Sequence, residues 1–192
     1  MAALTRQGHD MTTHSPPEVA SVAANGTPLI SGAALAAAIL TTGLVAGVFW
    51  IFSNTIMPGL RHTDDQTFIG AFQSIDKAII NPWFMVAFFG ALILTGLAAA
   101  LHLSGDRRSL LPWLGAAFVL YLIAVVITMA VNVPLNDALK TAGAPARIGD
   151  LAAVRHHFNE AKWSAWNLAR AVTSTAAFGC LIAAAMLHPS AK

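Results

Sequence analysis

The chain of 192 residues is 56% hydrophobic and 10% charged, with a mean hydropathy of +0.64 and a net charge of +2. Soluble domains carry about a quarter charged residues, so this composition excludes one and points to a membrane protein. Its few basic residues are interleaved with acids, which excludes a nucleic-acid groove.

Residues 1–28 are rich in Thr, Ser, Pro and Gly and contain no apolar run long enough for a signal-peptide core. They read as a disordered polar tail, and His9 and His14 within it as solvated side chains. Four segments then lack Asp, Glu, Lys and Arg: residues 29–60, 78–105, 109–136 and 171–191. Each exceeds the roughly 20 residues that cross the hydrocarbon as a helix, the form in which lipid leaves no backbone group unpaired. The fold class predicted is all-α, a four-transmembrane-helix bundle over residues 29–188 with spans at about 30–55, 82–103, 110–133 and 163–187.

Span one ends near Pro58, whose ring blocks continuation of a helix. Between spans one and two, "DDQTFIGAFQSIDKAI" opens on carboxylates suited to a helix start. It then places Phe68, Phe72, Ile75 and Ile79 on one stripe, predicting a short amphipathic helix on the membrane surface or capping the bundle. Asn81-Pro82 opens span two as N-cap and first-turn proline. "SGDRRS" is a tight hairpin, making spans two and three antiparallel neighbours, and Pro134 terminates span three. After the loop "TAGAPARIG", Asp150 caps a helix that meets no Pro or Gly from Leu151 to Phe178, so span four extends beyond the bilayer.

Four spans place both termini on one side. The opposite side collects "NTIMPGLRH", "NPWF", "NVPLN" and "WSAWNLAR", with Trp83, Trp163 and Trp166 as an interfacial belt, Trp50 just inside it and Trp113 at the other face. Arg107 and Arg108 in the short hairpin favour a cytoplasmic location for that side, hence N-in and C-in. Cys180 is the single cysteine, so no intramolecular disulfide forms. The small-residue face "GAALAAAI" of span one offers a surface for a homo-oligomer.

His156, Glu160, Trp163, Asn167 and Arg170 recur at intervals of three or four and so share one face of a helix. If Trp163 and Trp166 mark the interface, Arg170 lies about 6–10 Å deeper, at 1.5 Å per residue. An arginine there costs on the order of 3 kcal/mol at the bilayer centre unless it snorkels past the tryptophans or finds a partner inside. Pointing inward, it would meet Asn54, Asn132, Asn136 and Asn167. Each amide alone is better read as a helix cap or an interhelical hydrogen bond. Together with Arg170 they would hold an oxyanion or polarise a carbonyl or phenol, with His156 as a candidate base. A metal at His156 and Glu160, joined by His62 with Asp64 or Asp65, is the weaker reading, because such a pair on an exposed helix arises easily by chance. His102 and His188 lie at the opposite face, too far to join. No phosphate loop, haem-type histidine pair or serine elbow is present.

"AGVFWIFSNTIMPGL", "FQSID", "NVPLNDAL" and "WSAWNLARAVTSTAAF", in that order, resemble the anthrone oxygenase-like integral membrane family over about residues 30–187. The resemblance rests most on "NVPLN" at Asn132–Asn136 and on Trp166, Asn167 and Arg170. It implies oxidation of an anthrone to an anthraquinone by molecular oxygen, without flavin or haem. His156 and Arg170 would be catalytic, and Asn54, Asn132, Asn136, Trp163, Trp166 and Asn167 would bind a lipophilic aromatic, anthrone- or quinone-like. The alternative is a non-catalytic lipid- or quinone-binding bundle or accessory subunit. A transporter is poorly supported, since no broken helix or mid-span carboxylate offers alternating access.

Overall fold

The structure, a computed structural model, describes residues 17–103 and 105–187, with side chains described for 29–103 and 108–187. The tail residues 1–16, with His9 and His14, and also His188, lie outside the described residues. Helix α1 (Pro17–Ile51) begins inside the segment expected as a tail. The order continues as α2 (Met57–Arg61), α3 (Asp65–Ile79), α4 (Pro82–Leu101), α5 (Leu111–Ile127), α6 (Val133–Thr141), α7 (Leu151–Phe158) and α8 (Glu160–Leu187), and no strand occurs among the described residues.

Among the described residues, four helices are long and apolar enough to cross a membrane: Leu29–Arg61, Pro82–Leu101, Arg108–Thr141 and Leu151–Leu187. They close a ring in which α1 packs on α4, α4 on α5, α5 on α8 and α8 on α1, the α4–α5 seam being the least extensive. The "GAALAAAI" face is used inside this ring, where Ala34, Leu35 and Ala38 are buried.

Neither proline ends its span. Spans one and three each pass through a π-helical turn, Phe52–Ile56 and Thr128–Asn132, and then continue as α2 and α6. Proline offers no N–H to the carbonyl four residues back and crowds it sterically. Widening the preceding turn, so that Met57 N–H reaches Phe52 O and Val133 N–H reaches Thr128 O, absorbs Pro58 and Pro134 without breaking either helix. The expected stops at Pro58 and Pro134 are therefore corrected to bulges.

The prolonged helices and α3 build a second core outside the bundle. The predicted amphipathic helix is present: Asp64 accepts from Thr67 N (3.0 Å), and Phe68, Ile69 and Phe72 are buried, so it caps the bundle. Phe72 meets Phe158 at 4.8 Å and Trp163 at 5.4 Å, both edge-on, and Phe52 meets Trp163 at 5.7 Å. Edge-to-face pairs of this kind add about 0.5–1.5 kcal/mol each beyond their buried area.

Asp150 caps α7 as expected, accepting from Ala153 N (2.9 Å), but the helix does not run on unbroken. Asn159 takes a left-handed conformation (φ 55°), and its side chain accepts from Lys162 N (3.1 Å) to start α8. Asn tolerates this conformation better than most residues because its short side chain bonds locally. Asn159→Ala is expected to lower stability by about 1–2 kcal/mol, losing both the cap and the left-handed tolerance, while Asn159→Asp stays close to wild type. Thermal unfolding in detergent reads the difference.

Candidate functional site

Between the two cores lies a cavity of about 190 Å³. The bundle supplies Phe49, Phe84, Phe88 and Arg170 to its wall, and the cap supplies Phe52, Phe72, Asp76 and Trp163. The π turn of span three contributes Thr128 and Met129.

Arg170 is only 5% exposed, so it points inward and does not snorkel. Nη2 donates to Asn167 Oδ1 (2.7 Å) and Nη1 to Thr128 Oγ1 (3.1 Å). The guanidinium carbon sits 4.4 Å from the Phe49 ring centroid and 5.6 Å from that of Trp163. All these partners are neutral, and Nε has no hydrogen-bond partner among the described residues. A buried cation without a counter-charge is costly, and cation–π contacts of up to about 2 kcal/mol offset only part of that. The arrangement favours an incoming anion.

The π turns set this geometry. Asn167 Nδ2 donates to Phe49 O (3.0 Å) and to Ser53 Oγ (2.6 Å), the latter inside the π turn of span one. Fixing Nδ2 in this way leaves Asn167 Oδ1 to hold Arg170. Thr128 opens the other π turn, and its hydroxyl donates to Ala124 O (2.8 Å) while accepting from Arg170.

A second hydrogen-bonded chain faces the same space. Trp163 Nε1 donates to Asn136 Oδ1 (2.7 Å), which orients the amide so that Nδ2 donates to Asp76 Oδ1 (2.7 Å). Burial of the Asp76 carboxyl pushes its pKa above the ordinary aspartate value, with Asn136 pulling the other way. Asp76 was not among the residues singled out from sequence, although one signal was available: it lies four residues after Phe72 and three before Ile79, a carboxylate set into the apolar stripe of α3.

Of the sequence candidates, the structure brings Arg170, Asn136, Trp163 and Asn167 together, with Asn132 behind them. Asn132 is buried, donates to Trp163 O (3.3 Å), and leaves Oδ1 without a partner among the described residues. Three candidates lie elsewhere. Asn54 is exposed and accepts from Thr55 Oγ1 (2.7 Å), because the π turn rotates Ser53 into its place. Trp166 is exposed on the outer face of α8, whereas Trp163, expected in the interfacial belt, is buried. His156 is exposed in a surface hollow with Asp65, Arg155 and Glu160, since the break at Asn159 turns α7 away from the face of α8. The carboxylate of Glu160 is taken up by two arginines, Arg61 (2.8 Å) and Arg155 (3.2 Å). Arg155 also holds Asp65 (3.0 Å), so of the proposed metal partners Glu160 and Asp65 are engaged in ion pairs. No group of three or more His, Cys, Asp or Glu side chains gathers among the described residues.

The sequence matches the anthrone oxygenase family over residues 83–180, just over half of the chain. The chain belongs to the anthrone oxygenase family. The stretch shared with the anthrone oxygenases contains Asn136, Trp163, Asn167 and Arg170, and stops short of Phe72 and Asp76 on α3. No curated protein and no solved structure matches the chain.

Proposed function

We propose that this protein is a membrane-embedded oxygenase that oxidises a lipophilic, anthrone-like aromatic with molecular oxygen. The observation that carries the reading is Arg170, buried with no anionic partner among the described residues, at the wall of an aromatic cavity that also holds a half-buried carboxylate. An anthrone is flat and apolar, with an acidic methylene opposite its carbonyl. Arg170 receives the carbonyl oxygen, and Phe49, Phe84 and Phe88 offer ring faces to the substrate's edge and plane.

Asp76 takes the methylene proton, and the electron pair left behind spreads into the ring system and onto the oxygen at Arg170. Negative charge thus moves from Asp76 toward Arg170, whose burial keeps water from screening the cation. The anion is itself the reductant: it gives electrons to dioxygen, a carbon–oxygen bond forms at the methylene carbon, and the peroxide anion takes back the proton from Asp76 to become a hydroperoxide. Loss of the second proton from that carbon breaks the O–O bond and releases water. Anthrone plus dioxygen gives anthraquinone plus water, and the balance closes with dioxygen as co-substrate and no further cofactor. We place the protein in a bacterial cytoplasmic membrane with both termini inside, on the strength of Arg107 and Arg108 in the short hairpin.

The test is turnover by the purified protein in vesicles supplied with anthrone. The expected result is one dioxygen consumed per anthraquinone formed, unchanged in His156→Ala because that side chain lies outside the cavity. Binding of the aromatic with no oxygen uptake above the protein-free rate would instead favour the non-catalytic binding bundle.

A further inference from the structure

The cavity that holds Arg170 has one wall that is also outer surface. Phe89 and Met129 line it, yet they are 42% and 45% exposed on the flank of the bundle. The reason lies in the packing: α4 lies along α5 but makes no extensive contact with the π turn Thr128–Asn132, so the seam between spans two and three loosens there. Phe89 and Met129 sit on the two sides of that seam, both on segments apolar enough to lie in lipid.

A second approach exists on the other side of Asp76. A wider hollow of about 620 Å³ shares Phe72, Asp76, Ile80 and Asn136 with the cavity, and is walled by Lys77, Lys140 and Gln73. Its chemistry suits water and protons better than an apolar ring system. Gln73 ties its two sides together, donating to Leu139 O (2.7 Å) and Gly143 O (3.0 Å).

We propose that the site has two separate mouths: a bilayer-dissolved aromatic reaches Arg170 sideways from the lipid between Phe89 and Met129, while Asp76 exchanges its proton with water through the hollow at Lys77 and Lys140. This rests on the reading that the cavity takes a flat aromatic ligand, and not on that ligand being oxidised. An apolar compound is concentrated in the bilayer by the same transfer free energy that buries side chains, about 25 cal/mol per Å², so a lateral door spares it a passage through water. Met129 suits a door, since its unbranched thioether adapts its shape at low energetic cost.

The experiment uses the full chain with Trp50, Trp83, Trp113 and Trp166 replaced by Phe, leaving Trp163 in the cavity wall as the one tryptophan. Mixed rapidly in phosphatidylcholine vesicles with vesicles carrying bromonaphthalene, whose absorption does not overlap tryptophan emission, it reports arrival of the aromatic by contact heavy-atom quenching. Quenching is expected to slow in Met129→Phe and to quicken in Met129→Ala and Phe89→Ala, and to keep its rate in Lys77→Ala and Lys140→Ala. A rate indifferent to Met129 and Phe89, or one that follows Lys77 and Lys140, would overturn the lateral route. Absence of quenching in every variant would overturn it together with the ligand class. Quenching that responds to Met129 in a protein without anthrone turnover leaves the lateral route standing and removes only the oxidation.

Discussion

Arg170→Leu is expected to lower kcat/KM for anthrone oxidation by about 10²–10³-fold, the loss typical when one preorganised oxyanion donor is removed. Stability should change little. Leucine removes a desolvated cation with no ion-pair partner among the described residues, which is neutral or stabilising in comparable sites. Against that, Asn167 Oδ1 and Thr128 Oγ1 lose their donor, at about 1–3 kcal/mol for a fully buried group. Activity and stability therefore separate, as they would not if Arg170 merely stitched spans one, three and four together. Arg170→Lys keeps the charge but gives up the planar fork that meets Asn167 and Thr128 at once and stacks on Phe49, so it should restore only part of the rate. Steady-state oxygen uptake alongside thermal unfolding reads both quantities.

Asp76→Asn is expected to remove the proton acceptor and cost about 10²–10⁴-fold in kcat/KM, the usual contribution of a positioned general base. The pH dependence supplies the sharper test. Burial raises the Asp76 pKa above 3.8, and the basic form is the active one. Activity should thus rise with pH through a midpoint above 3.8, and that limb should vanish in Asp76→Asn. The stability effect runs the other way. A carboxyl whose folded pKa is raised binds its proton more tightly in the folded state, so its favourable contribution is present below the unfolded value and is lost as pH rises through the folded one. Wild type should lose stability across that window and Asp76→Asn should not.

The bundle was legible in the sequence because its signal is composition over long windows: four uncharged stretches leave the chain few alternatives in lipid. The cap was legible from the stripe Phe68, Phe72, Ile75 and Ile79. What escaped is local backbone register. A proline in an apolar helix reads as a stop, and nothing in "TIMPG" or "VNVPL" announces that the turn before it widens instead. That widening decides whether Ser53 or Asn54 faces Asn167. The turn at Asn159 is equally silent, since no Pro or Gly marks it, yet it separates His156 from the face that Trp163, Asn167 and Arg170 share. Arg170 was legible for the opposite reason: a guanidinium below a tryptophan belt is so costly that it calls for an internal role. Asp76 was hidden by its position near the end of a helix, where a carboxylate ordinarily meets water.

The most direct measurement of the central claim is the visible absorption spectrum of anthrone bound to the protein in the absence of oxygen. With Arg170 ready for an oxyanion and Asp76 ready for a proton, the bound compound should show the band of its anion at a pH where free anthrone stays neutral. The band should be missing in Arg170→Leu and in Asp76→Asn. A spectrum of neutral anthrone in wild type, indistinguishable from that of either variant, would contradict the account.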